Sequence, residues 1–98
     1  MMRPVVYHPR VPQEVREAYR YYNEISQPLA ERFWEELTEA INHARILPEL
    51  HHFDSSGFRR ANLTRFPYHF LFQVHPGFIR IIVVRHNRRH PRFGTGRR

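Results

Sequence analysis

The residues able to do chemistry are concentrated in Val84-Arg85-His86-Asn87-Arg88-Arg89-His90, directly after the most apolar run of the chain. Several guanidinium groups at a strand end can grip phosphate oxygens in pairs. Arginine is charged at every physiological pH, so it stabilises anions without moving protons. The sequence contains no lysine and no cysteine. A proton acceptor in this half must therefore be a histidine, a tyrosine or a group on the substrate, and His69 and His86 are the candidates. Like charge from the surrounding arginines is expected to favour a neutral imidazole, ready to act as a base. The competing reading of the same residues is a solvated strand end followed by an unstructured basic tail. For His69 it is a polar position on a half-solvated sheet face.

Other constellations point to ordinary structure. His51 and His52 are adjacent and diverge on any regular backbone, and His86 and His90 have no acid or cysteine beside them to complete a tetrahedral set. No metal site and no cofactor are expected. Ser55-Ser56-Gly57 is too short for a phosphate loop and lacks its lysine, so it reads as a turn. Tyr19 and Tyr22 recur at helical spacing as core, with Tyr21 on the rim.

The charge distribution is lopsided. All 16 basic residues are arginine, against nine acids, for a formal charge of +7. Residues 1–57 hold six arginines and every acid, net −3, whereas residues 58–98 hold ten arginines and no acid, net +10. Such segregation attracts a polyanion or an acidic protein. Arg59, Arg65, Arg85, Arg89 and Arg92 are accordingly candidate nucleic-acid contacts. At 98 residues the chain is one small domain, 1–98, with a basic tail over 87–98. The absence of cysteine excludes a disulfide framework and a thiol nucleophile. No run approaches the ~18 apolar residues of a membrane span. The opening residues show no secretory signal, so a cytoplasmic protein without membrane contact is expected.

The elements that must hold these residues follow from periodicity. Val5-Val6-Tyr7 reads as a short strand closed by His8-Pro9. Pro12 suits a first helical turn, and Val15, Ala18, Tyr19, Tyr22 and Ile25 continue at helical spacing. Ser26-Gln27-Pro28 breaks that helix and starts another, with Leu29, Phe33, Leu37, Ile41 and Ala44 as its apolar stripe and Trp34 widening it. Glu31, Glu35, Glu36 and Glu39 are expected to face water, and Pro48 ends the helix. The period then falls to two: a strand over 58–65, a second over 68–75 that alternates cleanly, a Pro76-Gly77 turn, and a strand over 78–85 apolar on both faces, hence central. The fold class is α+β, in the order β-α-α-β-β-β, a helical hairpin on a small, mostly antiparallel four-stranded sheet.

Four segments carry a resemblance over nearly the whole chain: Ala30-Glu31-Arg32-Phe33-Trp34-Glu35-Glu36-Leu37, Phe58-Arg59-Arg60-Ala61, Arg65-Phe66-Pro67-Tyr68-His69-Phe70, and Val84 through Pro91. Together they resemble the RelE/ParE toxins of bacterial type II toxin–antitoxin systems. The RelE-like branch cleaves messenger RNA, commonly on the ribosome, by metal-independent attack of the 2′-hydroxyl on the adjacent phosphate. The ParE-like branch poisons DNA gyrase without catalysis of its own. Both are neutralised by an antitoxin that wraps the toxin, here expected to be acidic. Matched by position, Arg60 falls where the cleaving branch has a basic residue, but Asn62 takes the second basic position. His69 stands where a phosphate-gripping arginine is usual, and Arg88 matches the arginine after the last strand. The C-terminal tyrosine of many cleaving members has no counterpart, since Phe93 lacks a hydroxyl. The resemblance thus implies a growth-arresting toxin acting as an endoribonuclease through Arg60, His69, His86 and Arg88. The alternatives are a gyrase inhibitor, favoured by the missing tyrosine and lysine, and a degenerate member that only binds antitoxin. The nuclease reading requires Arg60, His69 and Arg88 to converge in one positive pocket over the sheet.

Overall fold

A computed structural model describes residues 2–98. The elements are β1 (Val5–Tyr7), α1 (Val11–Ile25), α2 (Gln27–Ile46), a 3₁₀ turn (Pro48–Leu50), β2 (Arg59–Asn62), β3 (Tyr68–His75) and β4 (Phe78–His86). The sheet order is β1-β4-β3-β2, with β1 parallel to β4 and the other pairs antiparallel. The expected α+β order therefore holds, and β4, the strand apolar on both faces, lies inside the sheet.

Local chemistry sets the helix boundaries. Pro12 occupies the first turn of α1, where its missing N–H is no loss. Ser26 then ends α1 and begins α2: its extended backbone breaks the first helix, its N–H donates to Tyr22 O, and its Oγ accepts from the Leu29 N–H at 3.1 Å. One residue between helices forces an antiparallel hairpin, which lies on one face of the sheet. The core between the layers gathers Val11, Ala18, Tyr22, Phe33, Leu37, Phe70, Phe72, Ile79 and Ile81. At its centre Tyr22, Phe33, Phe66 and Tyr68 pack with centroid separations of 4.9–6.2 Å, mostly edge to face. Trp34, expected to widen the buried stripe, is instead 53% exposed, because the helix rotates its 100° per residue and Phe33 takes the inward position.

Two departures in the second half bear on the site. β2 covers 59–62, shorter than the predicted strand over 58–65, because residues 63–67 turn back. The Leu63 N–H donates to Tyr68 O, and Glu36 accepts the N–H groups of Thr64 and Arg65. Glu36, expected to face water, thus pins this turn to α2. The β3–β4 register slips between Leu71, opposite Val83, and Phe72, opposite Ile81. That irregularity leaves Ile82 without an opposite residue and accounts for four successive apolar residues in a strand that otherwise alternates.

The middle of the outer sheet face is covered. Leu71, Val83, His69 and Arg85 are all buried there. Residues 91–97 fold back over β4, and Gly94 lies so close that an ideal Cβ would come within 2.6 Å of Val83 Cγ2. Its φ of +80° is also one that only glycine adopts without strain. No helix is long and apolar enough to cross a membrane among the described residues.

Candidate functional site

Strand register assembles a polar row on the outer face. Asn62 stands opposite His69, and His69 opposite Arg85, across β2, β3 and β4. Residues two apart on a strand share a face, so Arg60 joins the row from β2. A fifth member arrives from the turn before β2. Asp54 caps that turn by accepting the Ser56 N–H on Oδ2 at 2.9 Å, and the Gly57 N–H donates to its carbonyl. The carboxylate then lies with Oδ1 3.4 Å from Arg60 Nη1 and 4.0 Å from Arg85 Nη2. Burial by itself would raise the Asp54 pKa. Hydrogen bonds from Ser56 and Arg60 and the charge of Arg85 outweigh it, and the carboxyl is held below its usual range.

His69 is 2% exposed and its ring is fully engaged. Arg85 Nε–H donates to His69 Nε2 at 2.8 Å, and because a guanidinium can only donate, Nε2 must be the bare nitrogen. Nδ1 carries the proton and donates to Asn87 Oδ1 at 2.7 Å. Burial first, then the charges of Arg60 and Arg85, keep this imidazole neutral by lowering its pKa, against the opposing pull of the Asn87 bond. A general base needs a free lone pair, and that of Nε2 is already accepting from Arg85.

Arg85, expected among the nucleic-acid contacts, is 4% exposed and lies under the C-terminal residues. Its Nη1 donates to Pro91 O at 2.9 Å and to Phe93 O at 2.8 Å. Its charge therefore works inward and not toward a ligand.

The other anticipated residues separate from this row. His86 points to the helix-side face, edge-on to Tyr68 with centroids 5.1 Å apart, and its Nδ1 accepts the Arg88 N–H at 3.0 Å. Its Nε2 has no hydrogen-bond partner among the described residues. A groove of about 210 Å³ opens beside it, lined by Glu17, Tyr21, Tyr68, His86, Arg89 and Phe93. Arg88 and Arg92 are exposed, and Arg89 lies over the Phe93 ring at 4.4 Å. Arg59 covers Phe53 at 4.2 Å and donates to His51 O. Arg65 lies across the molecule, beside Glu35, Glu36 and Glu39 of α2. The structure thus brings Arg60, His69 and Arg85 together, while Arg88, Arg89 and Arg92 are exposed in the segment after β4, with Arg89 lining the same groove as Arg85 and His86.

Asp54 and Glu14 are absent from the sequence-derived candidates. An aspartate leading Ser55-Ser56-Gly57 is the signal that marks Asp54 as a turn cap. Glu14 lies in the first turn of α1. It also accepts the Val84 N–H at 3.1 Å and pairs with Arg97, at the edge of β4 beyond the end of β1. A second, apolar groove of about 470 Å³ runs along the helical hairpin past Tyr7, Val15, Trp34 and Ile41, with Arg16 and Arg45 on its rim. No three histidine, aspartate or glutamate side chains converge to hold a metal ion among the described residues.

Comparison with known proteins adds a lineage. A family described as the ParE toxin of the type II toxin–antitoxin system parDE matches residues 5–91. Among solved structures, the chain is similar to one from a chromosomal ParDE toxin–antitoxin system of P. aeruginosa. The TM-score is 0.73 at 17% identity, over 87% of this chain and 96% of that one, a likeness of fold. No curated protein sequence matches.

Proposed function

The chain belongs to the ParE toxin family of type II toxin–antitoxin systems, and from that membership we propose that it arrests growth by binding DNA gyrase, without cleaving RNA itself. The observation that carries this reading is the state of His69. A histidine buried to 2% exposure, with one nitrogen accepting from Arg85 and the other donating to Asn87, has nothing left with which to move a substrate proton. Arg60 is likewise engaged, by Asp54 and by Asn62 Oδ1 at 2.8 Å. The groups left for a target are the exposed arginines 88, 89 and 92. They can bind an anionic surface on gyrase or on its DNA, and they supply no acid or base.

The partner implied by the family is an antitoxin. The apolar groove along α1 and α2, rimmed by Arg16 and Arg45, suits an amphipathic segment whose polar edge is acidic. In this reading the protein works in the cytoplasm, where gyrase and its DNA lie.

One observation favours messenger cleavage as a second reading: His86 Nε2 has no partner and opens on a groove beside Arg89, with Arg88 two residues on. Purified protein decides between them. Inhibition of plasmid supercoiling by gyrase, with messenger lifetimes unchanged after induction in cells, supports the gyrase reading. Cuts within codons that vanish in His86→Ala, with gyrase untouched, would replace it. Normal growth after induction without antitoxin would leave only the antitoxin-binding role.

A further inference from the structure

The C-terminal segment carries the exposed arginines, yet its own sequence has little means of folding: residues 87–98 contain one large apolar residue, Phe93, and five arginines. Local turns account for part of its shape, with Phe93 N–H donating to His90 O and Thr95 N–H to Arg92 O. These bonds are short-range and exposed, and such turns open readily in isolation. The long-range attachments are few. At the root of the segment Asn87 donates its N–H to Pro67 O at 2.8 Å and accepts from His69 Nδ1 on its Oδ1. Arg85 holds the carbonyls of Pro91 and Phe93 from beneath. Arg97 reaches the β4 edge, donating to Ile82 O at 3.0 Å and pairing with Glu14. Gly94 rests on Val83 between the two. Arg85 is in turn fixed from behind by His69 and Asp54.

We infer that Arg85 is a positioning residue: through its hydrogen bonds to Pro91 and Phe93 it locks the C-terminal segment onto the sheet and so presents Arg88, Arg89 and Arg92 as a rigid array. The inference rests on the proposed target-binding role of those arginines, and extends it by naming what holds them in place. Three geometric facts favour it. The guanidinium is planar and forked, so one group can serve His69 Nε2 and two carbonyls at once, which a lysine ammonium on a flexible stem does not reproduce. The bonds are charge-assisted and partly buried, hence stronger than neutral, exposed ones. The carbonyls it holds, of Pro91 and Phe93, flank Arg92 and lie two and four residues after Arg89. A pre-ordered array avoids the entropy of immobilising three long side chains and their backbone on binding.

The segment contains its own probe, because trypsin cleaves after arginine, and cleavage at the Arg89–His90 and Arg92–Phe93 bonds speeds up when the segment leaves its turns for the extended form a protease binds. The test compares native protein with Arg85→Lys, reading cleavage at these bonds by mass spectrometry, hydrogen exchange across the chain, and inhibition of purified gyrase on supercoiling of plasmid DNA. Cleavage of Arg85→Lys should be faster by about tenfold or more, since opening no longer breaks the pair of partly buried, charge-assisted bonds that the guanidinium makes. Exchange in α1 and α2 should stay as in the native protein, and inhibition should weaken in parallel with cleavage. A general loss of stability would instead raise exchange in the helices as well. If Arg85→Lys fails to fold, Arg97→Gln releases the other end of the segment from the surface and should show the same pattern, more weakly.

Unchanged cleavage in a folded Arg85→Lys protein would overturn the inference, as would a loosened segment that inhibits gyrase as strongly as the native one. Native protein that leaves gyrase untouched would remove the proposed target but not this inference. Cleavage and exchange would then decide by themselves whether Arg85 holds the segment.

Discussion

Asp54→Ala removes the one carboxylate that faces Arg60 and Arg85 among the described residues. The arginine side chains differ in what they lose. Arg60 is 32% exposed and recovers water, so its share is small. Arg85 is 3% exposed and keeps its positive charge buried without a counter-ion. Breaking a buried pair costs about 3–5 kcal/mol in general. Here the Arg85 contact is long, 4.0 Å, and three other acceptors remain in His69 Nε2, Pro91 O and Phe93 O. The turn also loses its Ser56 cap. We therefore expect about 2–3 kcal/mol, a large fraction of the ~5–10 kcal/mol that stabilises a domain of this size. At about 2.1 cal/mol/K per residue of unfolding entropy, that lowers the Tm by roughly 10–15 °C. Thermal unfolding followed by circular dichroism measures it directly. Asp54→Asn, which retains the oxygen that caps the turn and loses the charge, should fall between the two. A drop of less than about 3 °C for Asp54→Ala would show that the carbonyls and His69 suffice to solvate Arg85, and that the acid is incidental.

The remaining expectations are narrower. Gly94→Ala brings a Cβ to 2.6 Å from Val83 Cγ2 at a φ of +80°, and should cost about 1–3 kcal/mol in urea unfolding, whereas Gly96→Ala, with nothing within 4 Å, should be nearly neutral. Burial, followed by neighbouring positive groups, lowers the pKa of His69 and of His51 in the folded state, so the unfolded chain binds more protons below the ordinary histidine range. Stability should then be full above about pH 6.5 and decline as pH falls from there toward the folded pKa values, and His69→Gln should flatten that decline; a stability that rises on acidification would contradict the assignment of a bare Nε2. Adjacent aromatics should behave oppositely: Phe33→Ala, at 0% exposure, should cost about 3–5 kcal/mol, and Trp34→Ala, at 53%, less than about 1, as read from denaturant midpoints.

The distribution of these effects follows what each residue type can encode. Alternation in Tyr68–His75 and the 3.6-residue recurrence in α1 and α2 are local properties, and burying one face of each element against the other is the only arrangement that removes those side chains from water. Ser26-Gln27-Pro28, Pro48 and Pro76-Gly77 act through their own backbone chemistry, so the boundaries they mark were legible too. Arg60 and His69 belonged to the same face by strand periodicity alone.

What tertiary structure decided was the company those polar groups keep. A sequence places His69 on a face but does not say that Arg85 Nε–H and Asn87 Oδ1 will occupy its nitrogens, because those contacts depend on strand register and on an irregularity at Ile82. Nor does a net charge of +10 over residues 58–98 reveal that Asp54, Glu36 and Glu14 will reach into that half from the other. Electrostatic and hydrogen-bond partners are chosen by distance in space, over separations as long as the 83 residues between Glu14 and Arg97, whereas hydrophobic periodicity is written within a single element. The fold could be read along the chain for that reason, and the difference between a base poised to react and a histidine locked in a scaffold could not.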